Sequence, residues 1–226
     1  MKKKIKSFLK ELISKIIFYL FFIIRLLIHF NILKSKNIEI TDRLKFSSNM
    51  NNIFFKNEIK KSKFYLEFGS GSSTLFAQKI RKKFISIESD KIFFNIIKKK
   101  INNPGLRYYN IGLTYKYSIP YFYCPKLQLN YSKSIFEELQ RKKIVPDLIL
   151  IDGRFRVLVA LQAHIFMSKI KKNIRIIIDD YAQRYHYHIL EIFFKIKVIG
   201  NFGVVYGLKN KRITKKMIEK YLRDHR

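Results

Sequence analysis

From residue 63 onward, short apolar runs alternate with longer segments whose apolar residues recur at helical spacing. The short runs predict strands, because they are bounded by glycine, proline, aspartate or lysine. The predicted strands are KFYLEF (63–68), FISIES (84–89), RYYNIG (107–112), PDLILIDG (146–153), NIRIIIDD (173–180) and two strands within KVIGNFGVVYGLK (197–209) that flank a tight turn at Gly200–Gly203.

Helices are predicted between these strands, at 72–83, 90–101, 155–170 and 185–196. Several strands are apolar throughout, and such strands are typical of a parallel sheet that is covered on both faces. The sequence therefore predicts an α/β domain over residues 63–226.

The first 62 residues follow a different pattern. Residues 1–33 are basic and then almost continuously apolar, and residues 34–62 are polar and irregular, as expected of a connector with a short helical piece. The apolar stretch 16–33 is interrupted by Arg25, His29 and Asn31. It is either a helix on a membrane surface, a true span, or a helix packed on the protein. Arg25 opposes deep insertion, at a cost of about 2.5–3.5 kcal/mol near the bilayer centre, and the preceding lysines favour contact with anionic lipid.

The charge narrows the choice of partners. The chain has 47 Lys+Arg against 16 Asp+Glu, a formal net charge of +31. Such a balance favours an anionic partner, either nucleic acid or a membrane. The alternative explanation needs no anionic partner: an AT-rich coding sequence produces the same excess of lysine when solvent-exposed positions drift to that residue. The single cysteine, Cys124, excludes a disulfide framework and a cysteine-based zinc site, and a reducing cytoplasmic setting fits.

The stretch YLEFGSGSST (65–74) carries the first candidate site. Gly69 and Gly71 follow the first strand in a chain that has only 8 glycines. Ligands of open parallel sheets bind outside the carboxyl ends of the strands, and missing Cβ atoms allow close approach to the backbone. A tight turn with capping serines is the alternative explanation. Glu88 ends the second strand 17 positions after Gly71, where an acid commonly accepts hydrogen bonds from ribose hydroxyls.

With these motifs the chain resembles class I S-adenosylmethionine-dependent methyltransferases over about residues 63–208. LEFGSGSST is similar to their cofactor loop and SIESD to the acidic end of their second strand. A narrower resemblance links IGLTYKYSIP, LILIDGRFRVLVAL and IIIDDYAQRYHYHI to small bacterial methyltransferase-like proteins of unassigned substrate. The resemblance implies a Rossmann-like seven-stranded sheet. It also implies a set of cofactor contacts: Glu67, Gly69, Ser70, Gly71, Ser73, Thr74, Glu88, Ser89, Asn110 near the adenine, and Asp152.

Three carboxylates follow the fourth and fifth predicted strands: Asp152, Asp179 and Asp180. By resemblance to cation-dependent O-methyltransferases, they would hold Mg²⁺, which lowers the pKa of a substrate hydroxyl. The alternative is metal-free, with Asp152 as the general base. Helix capping is a further alternative for Asp152 and for one aspartate of the Asp179–Asp180 pair.

Arginines and histidines flank these acids, and they suit either an anionic substrate or pairing with the carboxylates. Arg154 and Arg184 are the preferred candidates, so the predicted catalytic set is Asp152, Arg154, Asp180 and Arg184. His186 and His188 are a poor metal pair on an α-helix, where residues two apart point to different faces. The tyrosine-rich segment 114–134 is either a substrate lid or a loop packed on the core.

These observations predict methyl transfer from S-adenosylmethionine to a hydroxyl oxygen of a small molecule, a glycan or a lipid-linked saccharide. The protein is expected in the cytoplasm, either free or peripheral to the inner face of the membrane. RNA methylation is the first alternative. It is less favoured, because IDGR at strand four differs from the motif of amino-methylating nucleic-acid enzymes and YCPK has the wrong order for a cytosine methyltransferase. A catalytically silent protein of this fold at the membrane surface is the second alternative.

Overall fold

The computed structural model describes residues 12–24, 40–115 and 118–226. The chain divides into two units, Met1–Glu39 and Ile40–Arg226. In the first unit, residues 12–24 form helix α1, whose large apolar side chains are exposed except for the half-buried Phe22. Residues 25–33 of the predicted apolar stretch lie outside the described residues. No helix in the described part of the chain is both long and apolar enough to cross a bilayer.

The second unit is built around one seven-stranded sheet in the order β3-β2-β1-β6-β7-β9-β8. The sheet strands are β1 (Phe64–Phe68), β2 (Lys83–Glu88), β3 (Leu106–Tyr108), β6 (Leu148–Ile151), β7 (Arg175–Ile178), β8 (Phe194–Ile199) and β9 (Phe202–Leu208). Strands β3, β2, β1, β6 and β7 are parallel, and β9 and β8 add an antiparallel pair at one edge. A short hairpin, β4 (Thr114–Tyr115) and β5 (Ile119–Pro120), lies apart from this sheet.

The helices of this unit are α2 (Asn49–Lys61), α3 (Ser72–Lys79), α4 (Lys91–Lys100), α5 (Pro125–Arg141), α6 (Arg156–Ile170), a 3₁₀ helix (Tyr185–Ile192) and α7 (Lys215–Leu222). Both faces of the sheet are covered, as β1 shows. Tyr65 packs edge-on against Phe55 of α2, whereas Phe68 packs against Tyr131 and Phe136 of α5. Each strand of this kind is buried on both sides, which explains the continuous apolar runs.

The fold predicted from the sequence is confirmed, with local differences. Helix α3 ends at Lys79, because the chain turns at Ile80 and Arg81, where Arg81 has φ +54°, and β2 begins at Lys83; the predicted helix end at residue 83 is wrong. The predicted α-helix 185–196 is a 3₁₀ helix, and Phe194 already belongs to β8. The unit that carries the sheet begins at Ile40 and includes α2, whose Phe55 and Ile59 are fully buried.

The tyrosine-rich segment 114–134 is divided between two structures. Its first part forms the β4–β5 hairpin, and its second part begins helix α5. The buried residues of α5 are Gln128, Tyr131, Ser132, Ile135, Phe136 and Leu139, which is helical spacing along one face. Because Tyr131 is fully buried in the core, this part of the segment is core structure and not a lid.

Candidate active site

A cleft of about 160 Å³ opens where β1, β2 and β6 end. Its lining residues are Gly69, Ser70, Glu88, Ser89, Asp90, Phe93, Ser118, Asp152, Gly153 and Arg154. A larger groove of about 990 Å³ lies between residues 42–56 and α3, but it contains none of the predicted site residues. The smaller cleft is the candidate site, because it lies at the carboxyl edge of the parallel strands.

The two loop glycines have different roles. Gly69 has φ +96°, and a Cβ there would lie 2.7 Å from the Gly153 nitrogen. Gly69 is therefore required for the close contact between the ends of β1 and β6. A Cβ on Gly71 would meet nothing within 4 Å, so Gly71 leaves open space over the loop.

Glu67 organises the loop from below. Its side chain is fully buried, and its Oε2 accepts hydrogen bonds from the Tyr65 hydroxyl at 2.6 Å and from Ser73 Oγ at 2.7 Å. Thr74 Oγ1 donates to Glu67 Oε1 and accepts from the Gly71 amide at 2.9 Å. Burial raises the pKa of Glu67, and these hydrogen bonds oppose the rise. Glu67 thus fixes the loop and the start of α3 through three hydroxyl groups.

Glu88 joins the loop to the end of β2. Its Oε2 accepts from the Ser70 amide at 2.9 Å, and its Oε1 accepts from the amides of Ser89 and Asp90 at 2.7 and 2.8 Å. A carboxylate oxygen has two acceptor sites, so Oε2 keeps one for a ligand hydroxyl. Burial raises the pKa of Glu88 to about 7, and the backbone hydrogen bonds limit that rise.

Arg156 holds the acids at the ends of β6 and β7 together. Its guanidinium donates to Asp152 Oδ1 at 2.9 Å and to the Asp179 carbonyl at 2.6 Å, and lies 3.3 Å from Asp180 Oδ2. Its side chain is only 6% exposed. Arg156 is one of the arginines that flank the acids in the sequence, but the sequence analysis preferred Arg154 and Arg184. A charged residue at the start of an otherwise apolar helix, four positions after Asp152, was the signal.

The pKa values of Asp152 and Asp179 are raised, as are those of Glu67 and Glu88. Burial raises the pKa of Asp152, with Arg156 opposing and Asp180 adding to the rise. Burial also raises the pKa of Asp179, followed by repulsion from Asp152 and Asp180. Asp179 Oδ1 is buried without a hydrogen-bond partner in the described structure. Such carboxylates are better proton acceptors than an ordinary aspartate near neutral pH.

Asp180 is tied into the turn after β7. It has φ +59°, its Oδ2 accepts from Arg184 at 2.8 Å, and its Oδ1 accepts from Asn201 at 3.2 Å. Its predicted catalytic partner Arg184 is thus engaged in an ion pair, at a side-chain exposure of 39%.

The predicted magnesium site at Asp152, Asp179 and Asp180 is not supported. Among the described residues, no group of three His, Cys, Asp or Glu side chains is arranged to hold a metal ion. The physical reason is that the Arg156 guanidinium already pairs with Asp152 and Asp180.

The remaining predicted residues are partly brought together. Ser73 and Thr74 are buried beneath the loop, and Ser89 lines the cleft. Asn110 does not line it: its side chain is exposed and accepts from the Gly112 amide at 2.9 Å. Phe93 of α4 and Ser118 line the cleft instead, which the sequence pattern did not indicate.

The end of the described chain completes the corner between β6 and α6. The Phe155 and Arg156 amides donate to the carbonyl oxygens of His225 and Arg226, at 3.1 and 2.9 Å. Helix α6 begins without a side-chain cap, so these carbonyls accept from amides that a helix otherwise leaves unpaired.

Comparison with known proteins supports the fold. A methyltransferase-like protein from Silicibacter pomeroyi, with a crystal structure at 1.80 Å resolution, is 23% identical and matches with a TM-score of 0.65 over 80% of this chain and 97% of its own. A 16S rRNA N2 G1207 methyltransferase from T. thermophilus, in complex with AdoMet and guanosine, matches with a TM-score of 0.34 and 11% identity, over 75% of this chain and 42% of its own. No protein-family profile and no curated protein matches the chain. The first of these matches confirms the predicted fold, which this chain shares with a methyltransferase-like protein.

Proposed function

We propose that this protein transfers a methyl group from S-adenosylmethionine to a hydroxyl oxygen of a small molecule, a glycan or a lipid-linked saccharide. The observation that carries the proposal is the position of Glu88 in the cleft, next to the glycine loop, with one acceptor site left for a ribose hydroxyl. The open space over Gly71 fits a ligand that passes close to the backbone.

Residues of this chain fit the parts of the cofactor. Glu88 would accept from the ribose, Phe93 offers an apolar surface for the adenine, and the loop at Gly69–Gly71 would approach the methionine part. When bound, S-adenosylmethionine supplies an electrophilic methyl group on its sulfonium sulfur.

The chain itself contributes a proton acceptor. Asp152 lines the cleft, and its raised pKa suits removal of the acceptor hydroxyl proton. Asp179 interacts with Asp152 and can share that proton, since its Oδ1 has no hydrogen-bond partner among the described residues. Arg156 fixes the Asp152 carboxylate and keeps it in place during the transfer.

RNA gains no support as the acceptor at this cleft. Among the described residues, its lining includes three carboxylates, Glu88, Asp90 and Asp152, against one cation, Arg154. A phosphate backbone carries many charges and would meet net repulsion from these acids, with a single arginine to offset it.

Calorimetric titration of the full chain with S-adenosylhomocysteine is the first test, and a micromolar dissociation constant is expected. The second test follows tritium from labelled S-adenosylmethionine into the polysaccharide and lipid fractions of the source cells, with Asp152→Asn as the control. Absence of cofactor binding to the folded protein contradicts the proposal and favours a catalytically silent protein.

A further inference from the structure

The three arginines around the site differ in their partners. Arg156 is paired with Asp152 and Asp180, and Arg184 is paired with Asp180. Among the residues that the structure describes, the Arg154 side chain makes no hydrogen bond and no ion pair. The sequence left open whether these arginines pair with acids or bind an anion, and only Arg154 is left without an acid.

Arg154 is not an ordinary surface arginine. It is half-buried and lines the cleft beside Asp152 and Gly153. Its pKa is lowered from the usual range, first by burial and then by repulsion from Arg156. A half-buried cation that has no ion pair among the described residues is costly, and an anionic ligand that enters the cleft would lower this cost.

Arg154 follows the proposed base, Asp152, by two positions after the end of β6, and both residues line the cleft. The glycine loop and Glu88 lie instead at the ends of β1 and β2. Arg154 therefore lies near the group that would take the proton of the methyl acceptor.

We infer that Arg154 binds an anionic group of the methyl acceptor, a carboxylate or a phosphate. The guanidinium suits this role, because its planar donors match two oxygens of either anion. The inference rests on the proposed methyl transfer, and it narrows the acceptor to an acidic molecule such as a sugar acid or a phosphorylated saccharide.

The experiment uses the full chain saturated with S-adenosylhomocysteine at constant ionic strength. Inorganic phosphate and acetate are titrated separately into the wild type, Arg154→Gln, Arg154→Lys and Arg175→Gln. Arg175 is the matched control, because it lies at the other end of β7 and pairs with Glu58. Affinity for S-adenosylhomocysteine is measured for each variant before the anions are added.

Arg154→Gln is expected to weaken binding of the preferred anion at least about tenfold, as loss of a hydrogen bond to a charged group predicts. Arg154→Lys is expected to keep part of the affinity for the anion, and Arg175→Gln is expected to keep all of it. The affinity for S-adenosylhomocysteine is expected to be the same in all variants. Tighter binding of phosphate or of acetate identifies which acid the acceptor carries.

Two results overturn the inference. If the wild type and Arg154→Gln bind the anions with equal affinity, the anions bind to the lysine-rich surface and not to Arg154. An equal loss of S-adenosylhomocysteine affinity in Arg154→Gln assigns Arg154 to the carboxylate of the cofactor. If the wild type binds no S-adenosylhomocysteine but Arg154→Gln still loses the anion, the proposed methyl transfer fails and the anion site at Arg154 stands. If Arg154→Gln does not fold, the comparison of Arg154→Lys with the wild type decides.

Discussion

Gly69 and Gly153 meet backbone to backbone where β1 and β6 end. A Cβ on Gly69 would lie 2.7 Å from the Gly153 nitrogen, and a Cβ on Gly153 would lie 3.0 Å from the Gly69 nitrogen. Neither contact leaves room for a side chain. Glycine is therefore needed at both positions for the packing of β1 against β6.

Gly69→Ala is therefore expected to destabilise the fold. The positive φ alone costs about 1–3 kcal/mol for a residue with a Cβ, and the contact with Gly153 adds to it. Chemical denaturation measures the loss. Gly71→Ala is the matched control, since its Cβ enters open space, and it should keep the stability while weakening S-adenosylhomocysteine binding. Equal stability of the two variants would contradict this assignment.

Cofactor affinity is expected to depend on the ionisation of Glu88. Because its pKa is raised to about 7, protonation below that pH removes acceptor capacity for a ribose hydroxyl. The affinity for S-adenosylhomocysteine should therefore rise between pH 6 and 8, with the midpoint of the rise at the Glu88 pKa of about 7. Glu88→Gln should show weaker binding without this rise, and a wild-type affinity that is flat over the range would remove Glu88 from the site.

The same group makes a prediction about folding. A carboxyl whose pKa rises from 4.5 to about 7 on folding binds more protons in the folded state, so its contribution to stability falls as pH rises through that window. At 1.36 kcal/mol per unit, the loss is up to about 3 kcal/mol. The difference in unfolding free energy between the wild type and Glu88→Gln, followed by urea denaturation across these pH values, measures it. A difference that does not vary with pH would contradict the raised pKa.

Arg156→Met is expected to destabilise the protein by about 3–5 kcal/mol, because it leaves the carboxylates of Asp152 and Asp180 without their buried partner. Arg184→Met removes a more exposed ion pair to Asp180 and should cost about 0–1 kcal/mol. Denaturation curves of both variants test the contrast. Similar losses in the two variants would show that Arg156 does not hold the acids together.

Asp152→Asn is expected to leave the fold and cofactor binding nearly intact, since the amide oxygen still accepts from Arg156. Methyl transfer should fall by about 10²–10⁴-fold, because the amide cannot take the hydroxyl proton. Single-turnover assays with labelled S-adenosylmethionine measure the fall. A larger fall in Asp179→Asn than in Asp152→Asn would move the role of base to Asp179.

Helix α1 is expected to bring the full chain to anionic membranes. Its Phe18 and Phe21 are 62% and 72% exposed, and apolar area gains about 25 cal/mol per Å² on leaving water. Flotation with anionic liposomes tests this, with release by carbonate washing expected of a shallow helix. The double variant Phe18→Asp/Phe21→Asp should not float. Ile53→Asp, at an exposed position of α2, is the control and should float as the wild type does.

Most of the fold could be predicted from the sequence, because strands that are buried on both faces consist of continuous apolar runs. The sequence analysis missed α5, since the buried face of that helix includes Gln128 and Ser132 and therefore lacks a clear apolar stripe. It placed Glu67 and Glu88 in the site. The sequence did not show that hydroxyl groups donate hydrogen bonds to Glu67, or that Arg156 forms ion pairs with two of the three aspartates. These contacts depend on how the side chains are arranged in the folded chain, which no local sequence pattern indicates.

The carbonyl oxygens of His225 and Arg226 have a consequence for the time course of biosynthesis. Helix α6 starts about 70 residues earlier in the chain, and two of its first amides have their acceptors in residues 225 and 226. While the chain is still being made, those amides can be satisfied only by water. The corner that carries Asp152 and Arg154 therefore cannot be completed before residues 225 and 226 have been made, and a product that stops between β9 and residue 225 would have the sheet without a finished site.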